Sequence, residues 1–182
     1  MSVRSKLLAL ALVVEGGALL LALVLARVWD IALLPLTEHL LRDCLIGIAA
    51  ASIPFALFAF SLSERTKTIP IISSLRKTIR DEIRPLFASL TMIDIALISI
   101  GAGCAEELLF RGVLQGKGGI IAASVLFGCM HWVTPAYAIV AAVIGFYIGL
   151  LYHVFQGLLI PIEVHCIYDF VALIYLKYFL RE

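Results

Sequence analysis

Two carboxylates and an arginine stand inside an otherwise apolar stretch, Gly101-Ala-Gly-Cys-Ala-Glu106-Glu107-Leu-Leu-Phe-Arg111-Gly112-Val-Leu-Gln115. Ionisable groups are costly in such a place and are kept where they serve a function. Neighbouring residues of a helix point about 100° apart, so Glu106 and Glu107 face different ways. Arg111 follows Glu107 by four residues and shares its face. The economical arrangement pairs Glu107 with Arg111 as a buried structural ion pair and leaves Glu106 free to face a cavity. The reverse assignment, with Arg111 five residues from Glu106, is less well placed but within reach.

Two further segments carry groups that complement Glu106. Phe127-Gly-Cys-Met-His131 brings one imidazole, and His165-Cys-Ile-Tyr-Asp169 brings a second with an acid four residues on. Measured from the end that bears Gly116 to Gly119 and Gln156-Gly157, His165 lies roughly 10 Å deep, Glu106 roughly 14 Å and His131 roughly 18 Å, at about 1.5 Å per helical residue. Separate helices thus deliver a carboxylate and two imidazoles to overlapping levels. Glu106 beside a neutral His131 suits activation of a water, and His165 suits donation to a developing oxyanion. A divalent metal is the competing use of the same groups, because two histidines and a carboxylate form a known catalytic zinc set. If a metal is present, Glu106, His131 and His165 are its ligands. No H-E-x-x-H helix accompanies them, and no cofactor is favoured. Mutual pairing for purely structural reasons is the blander alternative.

These groups need a scaffold. The chain has 182 residues, 63% hydrophobic and 15% charged, with a mean hydropathy of +1.08. A soluble domain of this size cannot hide so much apolar surface, so lipid is its main solvent. The fold class that follows is all-α, a polytopic transmembrane helical bundle of about six spans. The net charge of +1 is spread over loops and helix ends, which gives no footprint for nucleic acid. Cys44, Cys104, Cys129 and Cys166 lie in apolar segments without C-x-x-C spacing and read as small buried hydrophobes.

The spans are read in order. Leu7 to Ala26 is a retained first span, longer than a signal-peptide core and without an A-x-A site; its Gly16-Gly17 predicts a tightly packed face and Glu15 an inward pair. Cys44 to Leu62 is the second, with a kink at Pro54. The polar stretch Ser63 to Pro85 spaces Ile72, Leu75, Ile79, Ile83 and Leu86 as an amphipathic helix at the membrane interface. Leu86 to Gln115, Ile120 to His131, Ala136 to His153 and Leu158 to Phe179 complete the count, and Gly145 and Gly149 form a small-residue face on the fifth. Asp94 reads as a helix–helix hydrogen-bonding group, and Glu163 as a partner of the Glu15-bearing helix or of loop neighbours. Residues 1–85 form N-terminal spans and an amphipathic connector, and 86–182 the catalytic helical core, within one compact membrane domain. Basic residues at the N-terminus, in the Ser63 to Pro85 segment (Lys67 among them) and at Lys177 and Arg181 place both termini in the cytoplasm.

Taken together, Glu106-Glu107-Leu-Leu-Phe-Arg111-Gly112, Phe127-x-x-x-His131 and His165-x-x-x-Asp169, in that order on successive spans, resemble the CAAX prenyl protease and bacteriocin-processing (CPBP, or abortive-infection) family of intramembrane proteases. The resemblance covers roughly Leu86 to Phe179. It implies a helical bundle around a membrane-embedded catalytic cavity, in which Glu106 and His131 activate the attacking water and His165 with Asp169 form the oxyanion or positioning pair. It also implies cleavage of a peptide bond near the membrane, either in a prenylated CAAX-type protein or in an exported peptide. A metal-free glutamate mechanism is the favoured form. Many members carry Asn where this chain has Asp169; an ionised Asp cannot donate to an oxyanion, so Asp169 accepts from His165 and fixes its tautomer, or holds a proton of its own. The charge count puts the shallower side of the cavity outside, against the cytosolic face at which prenylated proteins are processed. The expected partners are membrane lipid and a peptide or protein substrate, and the expected setting is a prokaryotic plasma membrane. Two readings from other classes compete: a proton- or cation-coupled carrier that uses the same Glu/His set, and a catalytically silent membrane scaffold.

Overall fold

The structure is a computed structural model that describes residues 2–66 and 68–179. Lys67 and Arg181, which enter the charge count, lie outside the described residues. The described residues are mostly helical, with no strand among them. Helix α1 (Val3–Val28) starts at Ser2, whose hydroxyl accepts from the amide of Ser5. Helices α2 (Leu40–Ala50) and α3 (Ser52–Ser61) form one apolar rod interrupted at Ala51. Pro54 is the cause: it has no N–H for the carbonyl of Ala50, four residues earlier. The hydroxyl of Tyr147 donates to that carbonyl instead, at 2.9 Å, and fastens the break to α8 (Pro135–Phe155).

The amphipathic segment comprises α4 (Pro70–Thr78), a π-helical turn Ile79–Ile83 and α5 (Arg84–Phe87). It meets the helical run Met92–Met130 at 113° and so lies across the bundle. Leu75, Ile79 and Ile83 are buried against Phe58, Ile95, Leu173 and Leu176, while Lys77, Arg80, Asp81 and Glu82 are exposed. Much of the apolar face that the spacing predicts therefore packs on the bundle rather than on lipid.

Helix α6 (Met92–Glu107) begins in a capping box, Thr91 and Asp94 each satisfying the other's backbone amide. Asp94 also takes a two-pronged bond from Arg4, Nε to Oδ2 at 2.7 Å and Nη2 to Oδ1 at 2.8 Å. Further along, Ala22 packs with Leu109 and Phe110, so α1 runs parallel to α6. The helix continues as a π-helical segment, Leu108–Gln115, into α7 (Gly116–Met130). Gly119, at φ 80°, supplies the left-handed backbone on which the chain turns back. Helix α9 (Leu159–Tyr178) closes the bundle.

Among the described residues, four helices are long and apolar enough to cross a membrane: Val3–Val28, Leu40–Ser61, Pro135–Phe155 and Leu159–Tyr178. The bent pair Pro70–Phe87 and Met92–Met130 makes up to five if counted as one. The protein is thus an all-α polytopic membrane bundle, with four or five such spans rather than about six. Two causes are visible. Asp94, Glu106, Glu107 and Arg111 dilute the apolar run from Met92 to Gln115. Beyond Gly119, the regular part of α7 ends at Met130, about 16 Å of helix against a hydrocarbon core of about 30 Å.

Small residues set the close contacts. A side chain at Gly103 of α6 would run into Cys166 and the backbone of Ile162 on α9, and one at Gly128 of α7 would meet Ala138 and Ala142 of α8. Gly16 and Gly17, expected on a tight face, border open space instead. Glu163 lies over Gly47 of α2, not against α1, and its Oε2 is buried without a hydrogen-bond partner.

Candidate active site

The π-helical segment docks on α8 through a matched pair of donors and glycines. Arg111 Nη2 donates to the carbonyl of Gly145 at 2.7 Å, and Gln115 Nε2 to that of Gly149 at 2.9 Å. A Cβ on Gly145 would stand 3.1 Å from Phe127 Cδ1, and one on Gly149 would stand 2.7 Å from Gln115 Oε1. The two glycines thus admit the polar side chains to the α8 backbone. Their four-residue spacing matches that of Arg111 and Gln115.

Glu107 is fully buried at the centre of this arrangement. Its Oε1 accepts from Arg111 Nη1 at 2.9 Å and lies 2.6 Å from His165 Nδ1. At that distance from a carboxylate, Nδ1 carries the proton and donates it. Glu107 therefore bridges α9 to the π-helical segment as well as pairing with Arg111. The sequence reading linked Glu107 to Arg111 alone and assigned the orientation of His165 to Asp169. Asp169 Oδ2 instead lies 3.4 Å from the other nitrogen, Nε2, on the cavity side.

Glu106 lines the cavity and is partly open, its side chain 13% exposed. His131 caps the end of α7; its Nδ1 lies 2.9 Å from the carbonyl oxygen of Phe127, an acceptor, so Nδ1 is the protonated nitrogen. Nε2 consequently presents a lone pair, 3.6 Å from Glu106 Oε2. That oxygen is buried and has no hydrogen-bond partner. Phe127 keeps the constellation in place. Its ring stacks on His131 at 4.3 Å between centroids, meets His165 edge-on at 5.9 Å, and lies under the Arg111 guanidinium at 4.8 Å. Spacing could have signalled this ring, since Phe127 precedes His131 by four residues.

Glu106, His131, His165 and Asp169 line one cavity of about 760 Å³. Its walls are otherwise mostly apolar and drawn from both halves of the chain: Leu57 and Phe58 of α3, Leu75 and Ile79 of the amphipathic segment, Phe127 of α7 and Tyr168 of α9. Glu15 of α1 also lines it, a position the sequence reading considered only as an inward pair. As a metal cradle the candidate set fits poorly. Among the described residues no three His, Cys, Asp or Glu side chains are gathered as a ligand group, and His165 turns both nitrogens toward carboxylates. Cys104, Cys129 and Cys166 remain free thiols.

Comparison with known proteins finds a family and one curated relative. Residues 88–171 match the family model described as type II CAAX prenyl endopeptidase, Rce1-like. The "uncharacterized protein YpbD" of Bacillus subtilis strain 168 is 32% identical over 92 residues, covering 47% of this chain and 47% of that protein. The match thus spans about half the length of the curated relative. No solved structure matches.

Proposed function

We propose, from the match of residues 88–171 to the Rce1-like type II CAAX prenyl endopeptidase family, that the chain is an intramembrane endopeptidase that hydrolyses a peptide bond of a membrane-associated substrate. One observation carries the reading. His131 Nε2 and Glu106 Oε2 turn acceptors toward the same space from 3.6 Å apart, too far to bond each other, at the wall of an apolar cavity. A water that donates one hydrogen to each is held there with its oxygen lone pair free to attack.

In the proposed reaction the water oxygen adds to the scissile carbonyl carbon as Glu106 takes its proton. The carbonyl oxygen becomes an oxyanion, and His165, as an imidazolium whose Nδ1 proton is held by Glu107, offers it the Nε2 proton that it shares with Asp169. When the tetrahedral intermediate collapses, the C–N bond breaks and the leaving amine takes the proton back from Glu106. Glu107 holds His165 from behind through Nδ1, and Arg111 keeps Glu107 in place; both act as positioning residues. The cavity is wide enough to hold a peptide segment together with an apolar anchor, which agrees with a prenylated or otherwise membrane-bound substrate.

The test is cleavage of a membrane-anchored peptide in proteoliposomes, with chelator and metal analysis in parallel. Full activity in Glu106→Gln sinks the mechanism. Loss of activity on chelation, restored by zinc, replaces it with a metal-dependent one.

A further inference from the structure

The catalytic groups all come from residues 106–169, but the cavity has one acid from outside that region, Glu15 of α1. Its position follows from the packing of α1. The helix runs parallel to α6 and is pinned at its start by the two-pronged Arg4–Asp94 pair. From Arg4 to Glu15 the rise is about 16 Å, and from Asp94 to Glu106 about 18 Å, so the two carboxylates reach the same level. Glu15 lies close enough to interact electrostatically with His165 and Asp169. Its Oε2 is buried and has no hydrogen-bond partner, as is the case for Glu106 Oε2.

The balance of charge in the cavity then points one way. Glu15, Glu106 and Asp169 line it with two imidazoles, and no lysine or arginine is among the described residues that do. The nearby Arg111 is only 1% exposed and is spent on Glu107 and the Gly145 carbonyl. A carboxylate withdrawn from water without a partner is costly, and an incoming cation that pairs with it recovers that cost. There is room for one: Gly17 also lines the cavity, and a Cβ built on it meets nothing within 4 Å.

We propose that Glu15 is a specificity-determining residue that receives a cationic group of the substrate, a lysine or arginine side chain near the hydrolysed bond. The preferred substrate is then a basic membrane-bound peptide, and one that brings a carboxylate to this wall is disfavoured. This proposal rests on the proteolytic reading of Glu106, and its test separates the two. Matched membrane-anchored peptides with lysine, a neutral residue or glutamate at each position flanking the cut are assayed with the full chain in proteoliposomes. The same peptides are titrated for binding to Glu106→Gln, which reports recognition without cleavage. The wild type is expected to favour the lysine peptide over the neutral one by about tenfold or more in kcat/KM, as one charge-assisted bond allows. Glu15→Gln should bring that ratio close to one, and Glu15→Lys should invert it toward the glutamate peptide. A lysine preference that is absent in the wild type, or that survives Glu15→Gln, overturns the proposal. If nothing is cleaved, the proteolytic reading fails; charge-dependent binding that Glu15→Gln abolishes in the Glu106→Gln background then upholds the role of Glu15, and charge-independent binding overturns it.

Discussion

Replacing Glu107 with glutamine separates two tasks that one carboxylate performs. Glu107 Oε1 receives Arg111 Nη1 at 2.9 Å and His165 Nδ1 at 2.6 Å, and neither Glu107 nor Arg111 has more than 1% of its surface exposed. Removing one member of a buried ion pair leaves the other charge uncompensated, at a cost of about 3–5 kcal/mol. At about 2–4 °C per kcal/mol for a chain of this size, the unfolding midpoint of Glu107→Gln in lipid nanodiscs should fall by about 6–20 °C. Cleavage should fall further than stability explains, by about 10²–10⁴-fold, because His165 loses the carboxylate charge that holds its Nδ1 proton and supports its ring as a donor. The double variant Glu107→Gln/Arg111→Met tells the two effects apart. With no orphaned guanidinium, at least about half of the lost stability should return, while cleavage should stay low because no carboxylate yet faces Nδ1 of His165. Stability that drops again in the double variant refutes the ion-pair argument. Cleavage that returns with stability refutes the positioning role and leaves Glu107 as Arg111's partner alone.

Two other contacts make independent predictions. Gly149→Ala places a methyl 2.7 Å from Gln115 Oε1 and 2.9 Å from Ile120 Cγ1, so the π-helical segment must shift from α8; the unfolding midpoint should drop by the equivalent of about 1–3 kcal/mol. Tyr147→Phe removes the only side-chain donor found on the Ala50 carbonyl among the described residues, and should cost about 1 kcal/mol, with faster amide hydrogen exchange in α2 and α3 as the local sign.

The parts of the fold and site legible in the sequence are those governed by spacing within one helix. Glu106 and Glu107 point apart, Glu107 reaches Arg111 across one turn, and His165 and Asp169 share a face, because helical geometry alone decides these relations. The break near Pro54 and the turn at Gly119 were readable for the same local reasons. Contacts between helices were not. That His165 rests on Glu107 depends on the approach of α9 to α6 at Gly103, and the level of Glu15 depends on the Arg4–Asp94 pair. Neither register leaves a mark in the periodicity of a single segment. The π-helical widening at Leu108–Gln115 was equally hidden, since Arg111 and Gln115 are four residues apart in either kind of helix and only the α8 carbonyls reveal what they serve.

The central claim is that Glu106 and His131 act on a single water. It is tested most directly by a double-mutant cycle on kcat with one membrane-anchored peptide in proteoliposomes, comparing Glu106→Gln, His131→Ala and the double variant. Two groups that hold the same water lose their joint effect when either is removed. Each single variant should therefore fall by about 10²–10⁴-fold, and the double variant should be no slower than the worse single by more than about threefold. Losses that multiply in the double variant, or full cleavage in either single one, would contradict the account.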